Sequence, residues 1–134
     1  MIVQHLDPTH KGMMPELLQR ATSLPVIQVT DHLKVLPDHV YVLPPNHDIS
    51  IKAGALYLST PAAPRGQRLP INFFLSSLAL DYQQQAVAVL LSGMGSDGTA
   101  GLAAIKKHAG WYWYKTQPPP PSRRCHKVQS MRVW

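Results

Sequence analysis

Asp97 and His5 are the residues of this chain best set for acid–base chemistry. Asp97 stands in the stretch Ala86 to Gly98, AVAVLLSGMGSDG, where six apolar residues run unbroken into a Ser-Gly turn. Such a run suits a strand buried on both faces of a parallel sheet. The carboxyl end of a strand in an open α/β sheet is where ligands and catalytic groups gather. His5 closes a short apolar strand, Ile2-Val3-Gln4, ahead of the break at Asp7-Pro8. If both strands lie in one parallel sheet, both side chains reach the same edge. An imidazole titrates near neutrality and can take and return a proton. A buried carboxylate beside it fixes its tautomer and stabilises the imidazolium.

Two other readings of the Asp97 loop compete. Gly93, Gly95 and Gly98 fit the G-x-G-x-x-G dinucleotide pattern. Against it, Asp97 would sit beside a pyrophosphate, and no Asp or Glu follows to hold a ribose. The structural alternative makes Asp97 only the N-cap of a helix. That helix would carry Leu102 and Ile105 on one face, Lys106-Lys107-His108 in its last turn and Gly110 as its stop. A metal reading has less support. His5 and His10 are five apart, and His32, His39 and His47 lack H-E-x-x-H or paired-cysteine spacing. Neither a metal nor a cofactor is expected.

The elements around these residues read as alternating strands and helices. Gly12-Met13-Met14-Pro15 leads into a helix with Met14, Leu17, Leu18 and Ala21 on one stripe. Val26 to Val29 and Val40 to Leu43 are strands, the second followed by the turn Pro44-Pro45-Asn46. Ile49 to Ile51 and Leu56 to Leu58 around Ala53-Gly54 form a β-hairpin. Pro61 to Pro70 is a polar loop. Pro70 then opens a helix whose buried stripe is Ile71, Phe74, Leu75, Leu78 and Tyr82. The expected fold class is α/β: a doubly wound, mostly parallel, three-layer Rossmann-like sheet, incomplete, with a small β-hairpin insertion.

A chain of 134 residues is one domain at most. Its charge is unevenly spread. Up to Gly110, eight Lys and Arg face seven Asp and Glu, whereas residues 111–134 carry five Lys and Arg and no acid. The basic character therefore belongs to the tail, WYWYKTQPPPPSRRCHKVQSMRVW. Its interleaved aromatics and cations have a form suited to stacking on bases or to a membrane surface. The lone Cys125 excludes an intrachain disulfide. No signal peptide opens the chain, and no segment has the length of a membrane span.

Four motifs in order give the chain a family likeness. They are QHLDPTHKGMMPELL at Gln4 to Leu18, VYVLPPN at Val40 to Asn46, LPINFFLSSLA at Leu69 to Ala79 and LSGMGSDGTAGL at Leu91 to Leu102. Together they resemble the chemotaxis-type protein-glutamate methylesterase (CheB-type) catalytic domain, nearest the form fused to a receptor methyltransferase. The resemblance covers Ile2 to Gly110. It implies hydrolysis of glutamyl methyl esters on methyl-accepting chemotaxis receptors by a Ser-His-Asp triad. His5 resembles the general base and Asp97 the acid that orients it. Met94 resembles the residue whose backbone N–H helps to stabilise the oxyanion. The resemblance further implies a cytoplasmic protein of a phosphorelay, with a receiver or methyltransferase domain in a longer parent, and neither nucleic-acid binding nor membrane insertion.

The sequence departs from that pattern at both ends. The family's nucleophilic Ser lies in a Gly-rich turn after a strand that precedes the histidine, and only four residues precede His5. No serine here stands in a G-x-S-x-G elbow. Loss of a triad nucleophile costs on the order of 10⁶-fold in turnover. The expectation is a methylesterase domain truncated at its amino end and nearly inert alone; the alternative is a non-catalytic remnant or partner-binding fragment. After Gly110, the codons of Trp111 to Pro118 read one nucleotide upstream give a strand of the type L-V-L-V-Q-D-P-A, with which the family continues. The tail is therefore expected to be frameshifted sequence. Residues 1–110 form the partial domain and residues 111–134 an aberrant Pro-rich tail in which Trp111 to Tyr114 can pair as an edge strand.

Overall fold

The computed structural model describes residues 1–4, 13–61, 63–64, 67–91 and 96–115. His5, Met94, the rest of the Ser-Gly turn at 92–95 and the tail from residue 116 lie outside the described residues. In chain order the elements are α1 (Met14–Ala21), β1 (Val26–Gln28), β2 (Leu33–Lys34), β3 (Val40–Val42), β4 (Asp48–Lys52), β5 (Ala55–Ser59), α2 (Pro70–Tyr82), β6 (Val87–Leu90), α3 (Thr99–Lys107) and β7 (Trp111–Tyr114). One turn of 3₁₀ helix, Gln83–Gln85, joins α2 to β6.

Parallel pairing comes in two pieces. β1 pairs with β3, and Ile2 extends that piece by bridging Val42 in parallel. β6 pairs with β7, Val87 opposite Trp111 and Val89 opposite Trp113. A parallel return needs a crossover; α3 provides it between β6 and β7, whereas β1 and β3 are joined through β2. The expected hairpin forms as β4 and β5, and the short strand β2 joins it to make an antiparallel sheet in the order β2-β5-β4. Ala53 and Gly54 make its two-residue turn, both with positive φ (51° and 70°), the geometry that continues the right-handed twist of the flanking strands.

α2 is the axis of the core. Phe74, Leu75 and Ala79 are buried on it, and Ile71, Leu78 and Tyr82 pack against the same cluster. That cluster also takes Val29, Tyr41, Leu43, Ile49, Ile51, Leu56, Ala86, Ala88 and Ile105, so hairpin, parallel strands and α3 share one interior. α2 and α3 approach closely because Gly101 faces Leu75. A Cβ at Gly101 would lie 2.6 Å from the Leu75 Cβ. Asp81 and Ser77 fasten the hairpin to the other end of α2. Asp81 accepts the amides of Ala53 (2.7 Å) and Gly54 (3.1 Å), and the Ser77 hydroxyl accepts that of Ile51 (3.0 Å).

Four local expectations change. β6 is not covered on both faces among the described residues: Ala88 is buried, whereas Val87 and Val89 are 63% and 57% exposed. The α1 stripe is only half-buried, with Leu17 and Ala21 facing out, because nothing described packs over them. α3 starts at Thr99, and its N-cap is Gly98 in the left-handed conformation (φ 97°), not Asp97. Gly110 ends α3 by close packing and not by a positive φ. A Cβ there would lie 2.9 Å from the Ala86 carbonyl, and the left-handed residue is Ala109. The edge strand at Trp111 to Tyr114 forms as expected.

Candidate functional site

The site begins with an unmet need of α2. Pro70 fills its first position, Leu69 provides no side-chain cap, and the amides of Ile71 and Asn72 have no partner within the helix. Asp97 meets both from 26 and 25 residues away in sequence: Oδ2 accepts from Ile71 (3.1 Å) and Oδ1 from Asn72 (2.8 Å). A carboxylate at a helix amino end also meets the positive pole of the helix. Asn72 returns the favour to α3. Its Oδ1 accepts the amides of Gly98 (3.0 Å) and Gly101 (2.8 Å). Asp97 is thus a cap, but of the neighbouring helix.

This exchange fixes the carboxylate in space. Asp97 is half-buried beyond the carboxyl end of β6, and a Cβ on the adjacent Gly98 would touch Leu90 and Ile71. An ionised carboxylate offers about four acceptor positions. The two amide bonds orient the carboxylate.

Ile71, whose amide Asp97 accepts, lines a cavity of about 800 Å³. Met1 to Gln4 line one side and Val87 to Leu91 the other, with Ile71, Phe74, Leu75 and Leu78 of α2 as its floor. Gln4, the residue before His5, therefore borders the same space as Ile71, whose amide Asp97 accepts. His5 and Met94 themselves lie outside the described residues. No group of metal-ligating side chains occurs among the described residues. No described helix is long and apolar enough to cross a membrane.

Asn72 is the site residue that sequence reasoning passed over. It lies in the third motif, LPINFFLSSLA, as the one polar side chain in an otherwise apolar first turn. That contrast was the available signal.

A parallel α/β domain with a carboxylate pinned at a strand's carboxyl end defines the class, and comparison with known proteins gives the family. The family model described as CheB methylesterase matches residues 1–118, and the chain belongs to that family. It is 35% identical over 114 residues to "Protein-glutamate methylesterase/protein-glutamine glutaminase 2" of Pseudomonas aeruginosa, covering 82% of this chain and 33% of that protein. The corresponding protein of Escherichia coli K12 is 30% identical over 116 residues, covering 83% and 33%. An uncharacterized 104.1 kDa protein of Rhodobacter capsulatus is 39% identical over 97 residues, covering 72% of this chain and 10% of that one. The chain thus spans a third or less of these relatives' length. The crystal structure of the Thermotoga maritima CheB methylesterase catalytic domain matches with a TM-score of 0.71 at 26% identity, covering 81% of this chain and 60% of that one.

Proposed function

We propose that this chain carries the base and the orienting acid of a protein-glutamate methylesterase site acting on methyl-accepting chemotaxis receptors in the cytoplasm. The observation that supports it most is the Asp97 carboxylate, held by the amides of Ile71 and Asn72, with Ile71 and Gln4 lining one cavity. In this reading a serine hydroxyl attacks the ester carbonyl of a methylated glutamate and gives its proton to His5. Asp97 holds the imidazole in the right tautomer and stabilises the imidazolium. The Met94 N–H donates to the oxyanion. Collapse expels methanol, which takes the proton back from His5. Water then attacks the acyl-enzyme, again through His5, and releases the free glutamate side chain and the serine.

In this reading no serine of this sequence is the nucleophile. No serine of this sequence sits in a G-x-S-x-G elbow, and the Ser77 hydroxyl is bound between the Phe74 carbonyl and the Ile51 amide. The alternative remains a non-catalytic, partner-binding fragment. The names of the Pseudomonas and Escherichia relatives add a glutaminase activity. The same acyl transfer with ammonia as leaving group would accommodate it. A receiver or methyltransferase domain in a longer parent belongs to this proposal as well.

The test is methanol release from methylated receptor membranes. The chain alone should release none above background. The chain extended at its amino end by a strand and a Gly-flanked serine turn should release methanol, and His5→Ala should abolish that release. Turnover by the chain alone, or turnover by the extended chain that survives His5→Ala, overturns the reading.

A further inference from the structure

Asp97 has two side-chain torsions, so its carboxylate is oriented only when both its head and its base are held. The head is held by the Ile71 and Asn72 amides, at 3.1 and 2.8 Å. The base is held by a single side chain. The peptide that joins Asp97 to Gly98 donates its N–H to the Asn72 Oδ1 at 3.0 Å, and the same oxygen accepts the Gly101 amide at 2.8 Å. An amide oxygen has two lone pairs, so these two bonds fill it and fix its place. Gly98 sits at φ 97°, in the left-handed region, and a Cβ there would lie 3.1 Å from Leu90 and 3.3 Å from Ile71. A residue with a side chain would be both strained and crowded, so the position needs glycine. Glycine has the freest backbone of all residues, and its peptide keeps one orientation only where a partner holds it. Asn72 is that partner. It therefore grips Asp97 twice, by its main-chain N–H at the carboxylate and by its side chain at the peptide behind it.

We infer that Asn72 is a positioning residue of the hydrolytic reaction: by holding the Asp97–Gly98 peptide, its side chain sets the direction in which the Asp97 carboxylate meets the His5 imidazole. This role rests on the reading of His5 as base and Asp97 as its orienting acid. Asn72 has no proton to take or release at neutral pH, so what it contributes passes through Asp97. A Ser or Thr in the lead-in to α3 would cap that helix equally well. What the contact from α2 adds is a fixed relation between the backbone of Asp97 and the helix end that holds its carboxylate. A misplacement of about 1 Å in such a constellation costs on the order of 10²-fold in rate.

The readout is the pKa of the His5 imidazole in the full chain, followed by NMR titration and assigned with His5→Gln. An ionised carboxylate at hydrogen-bond distance holds an imidazole above its ordinary value of about 6.5. Asp97→Asn should bring His5 down by about one pH unit. Asn72→Ala keeps the main-chain N–H on the Asp97 carboxylate but leaves the Gly98 peptide unheld, and should bring His5 down by about half a pH unit or more. A role confined to stability would lower the thermal midpoint and leave the His5 pKa of the folded chain where it is. Should Asn72→Ala fail to fold, Asn72→Gln keeps the side-chain amide, moves it by one methylene and should show the same fall. If Asp97→Asn lowers the His5 pKa and the folded Asn72 variant does not, the positioning role is overturned and the base-and-acid reading stands. If Asp97→Asn leaves the His5 pKa unchanged, that reading falls and the positioning role falls with it.

Discussion

Asp97 and Asn72 cap each other's helices. The Asp97 carboxylate accepts the Asn72 amide at 2.8 Å, and the Asn72 side-chain oxygen accepts the amide of Gly98, the residue after Asp97, at 3.0 Å. Each residue thereby holds the start of a helix to which it does not contribute a cap by sequence. The carboxylate that the proposed chemistry needs is a structural element of the α2–α3 junction.

Asn72→Ala should therefore destabilise the chain without touching the carboxylate directly. It leaves the amides of Gly98 and Gly101 without their acceptor, at a cost of about 1–3 kcal/mol. Asp97→Ala should cost a similar amount at the Ile71 and Asn72 amides. The pair should couple by about 0.5 kcal/mol or more in a double-mutant cycle read by urea unfolding. Strict additivity would mean that the two caps act independently.

Gly101→Ala should destabilise the chain although alanine favours helices by about 1 kcal/mol. The new Cβ would lie 2.6 Å from that of Leu75, and the α2 backbone at Asn72 is 3.2 Å away. The helices must separate, at about 1–3 kcal/mol for overpacking. A fall in the thermal midpoint checks this; a rise would mean that the α2–α3 contact relaxes freely.

Asp31 should impose a pH dependence on the β2–β5 edge. Its carboxylate accepts the Leu58 amide at 2.8 Å, which with the adjacent His32 holds its pKa below the usual aspartate value. A depressed folded pKa contributes stability that is complete above the unfolded value near 3.9 and is lost as pH falls through the folded one. Acidification below about pH 4 should loosen the Leu58 amide in an NMR titration. Asp31→Asn should remove that transition.

Trp113→Lys should improve solubility and leave the thermal midpoint nearly unchanged. Trp111 and Trp113 are 56% and 54% exposed, and Val87 and Val89 opposite them are exposed as well. The β6–β7 pair thus presents an apolar face that favours association. Light scattering on concentrated samples reads the difference.

The sequence disclosed what depends on local pattern. The Ala53-Gly54 turn between alternating strands, Pro70 at the start of α2 and the stripe from Ile71 to Tyr82 were all visible from spacing and turn chemistry. The parallel run at β6 was visible, but its exposed face was not, because an unbroken apolar run says nothing of which neighbours are present to cover it. β2 was missed because two residues have no period; it pairs through Leu33 and Lys34 with β5. Asp97 was read as a cap or a catalytic acid from its neighbours in sequence. Its actual partners are 25 and 26 residues away, and no local propensity encodes that distance. Trp111 to Tyr114 form a strand because aromatic side chains suit a pleated surface.

The most direct test of the proposed site is a crystal structure of the chain that resolves residues 4–6 together with Asp97. The account predicts a ring nitrogen of His5 within about 3.2 Å of an Asp97 carboxylate oxygen, with the Ile71 and Asn72 amides still on that carboxylate. A His5 ring more than about 6 Å from Asp97, roughly two hydrogen-bond lengths, with no loop able to close the gap, would contradict it and leave Asp97 with the cap of α2 as its whole role.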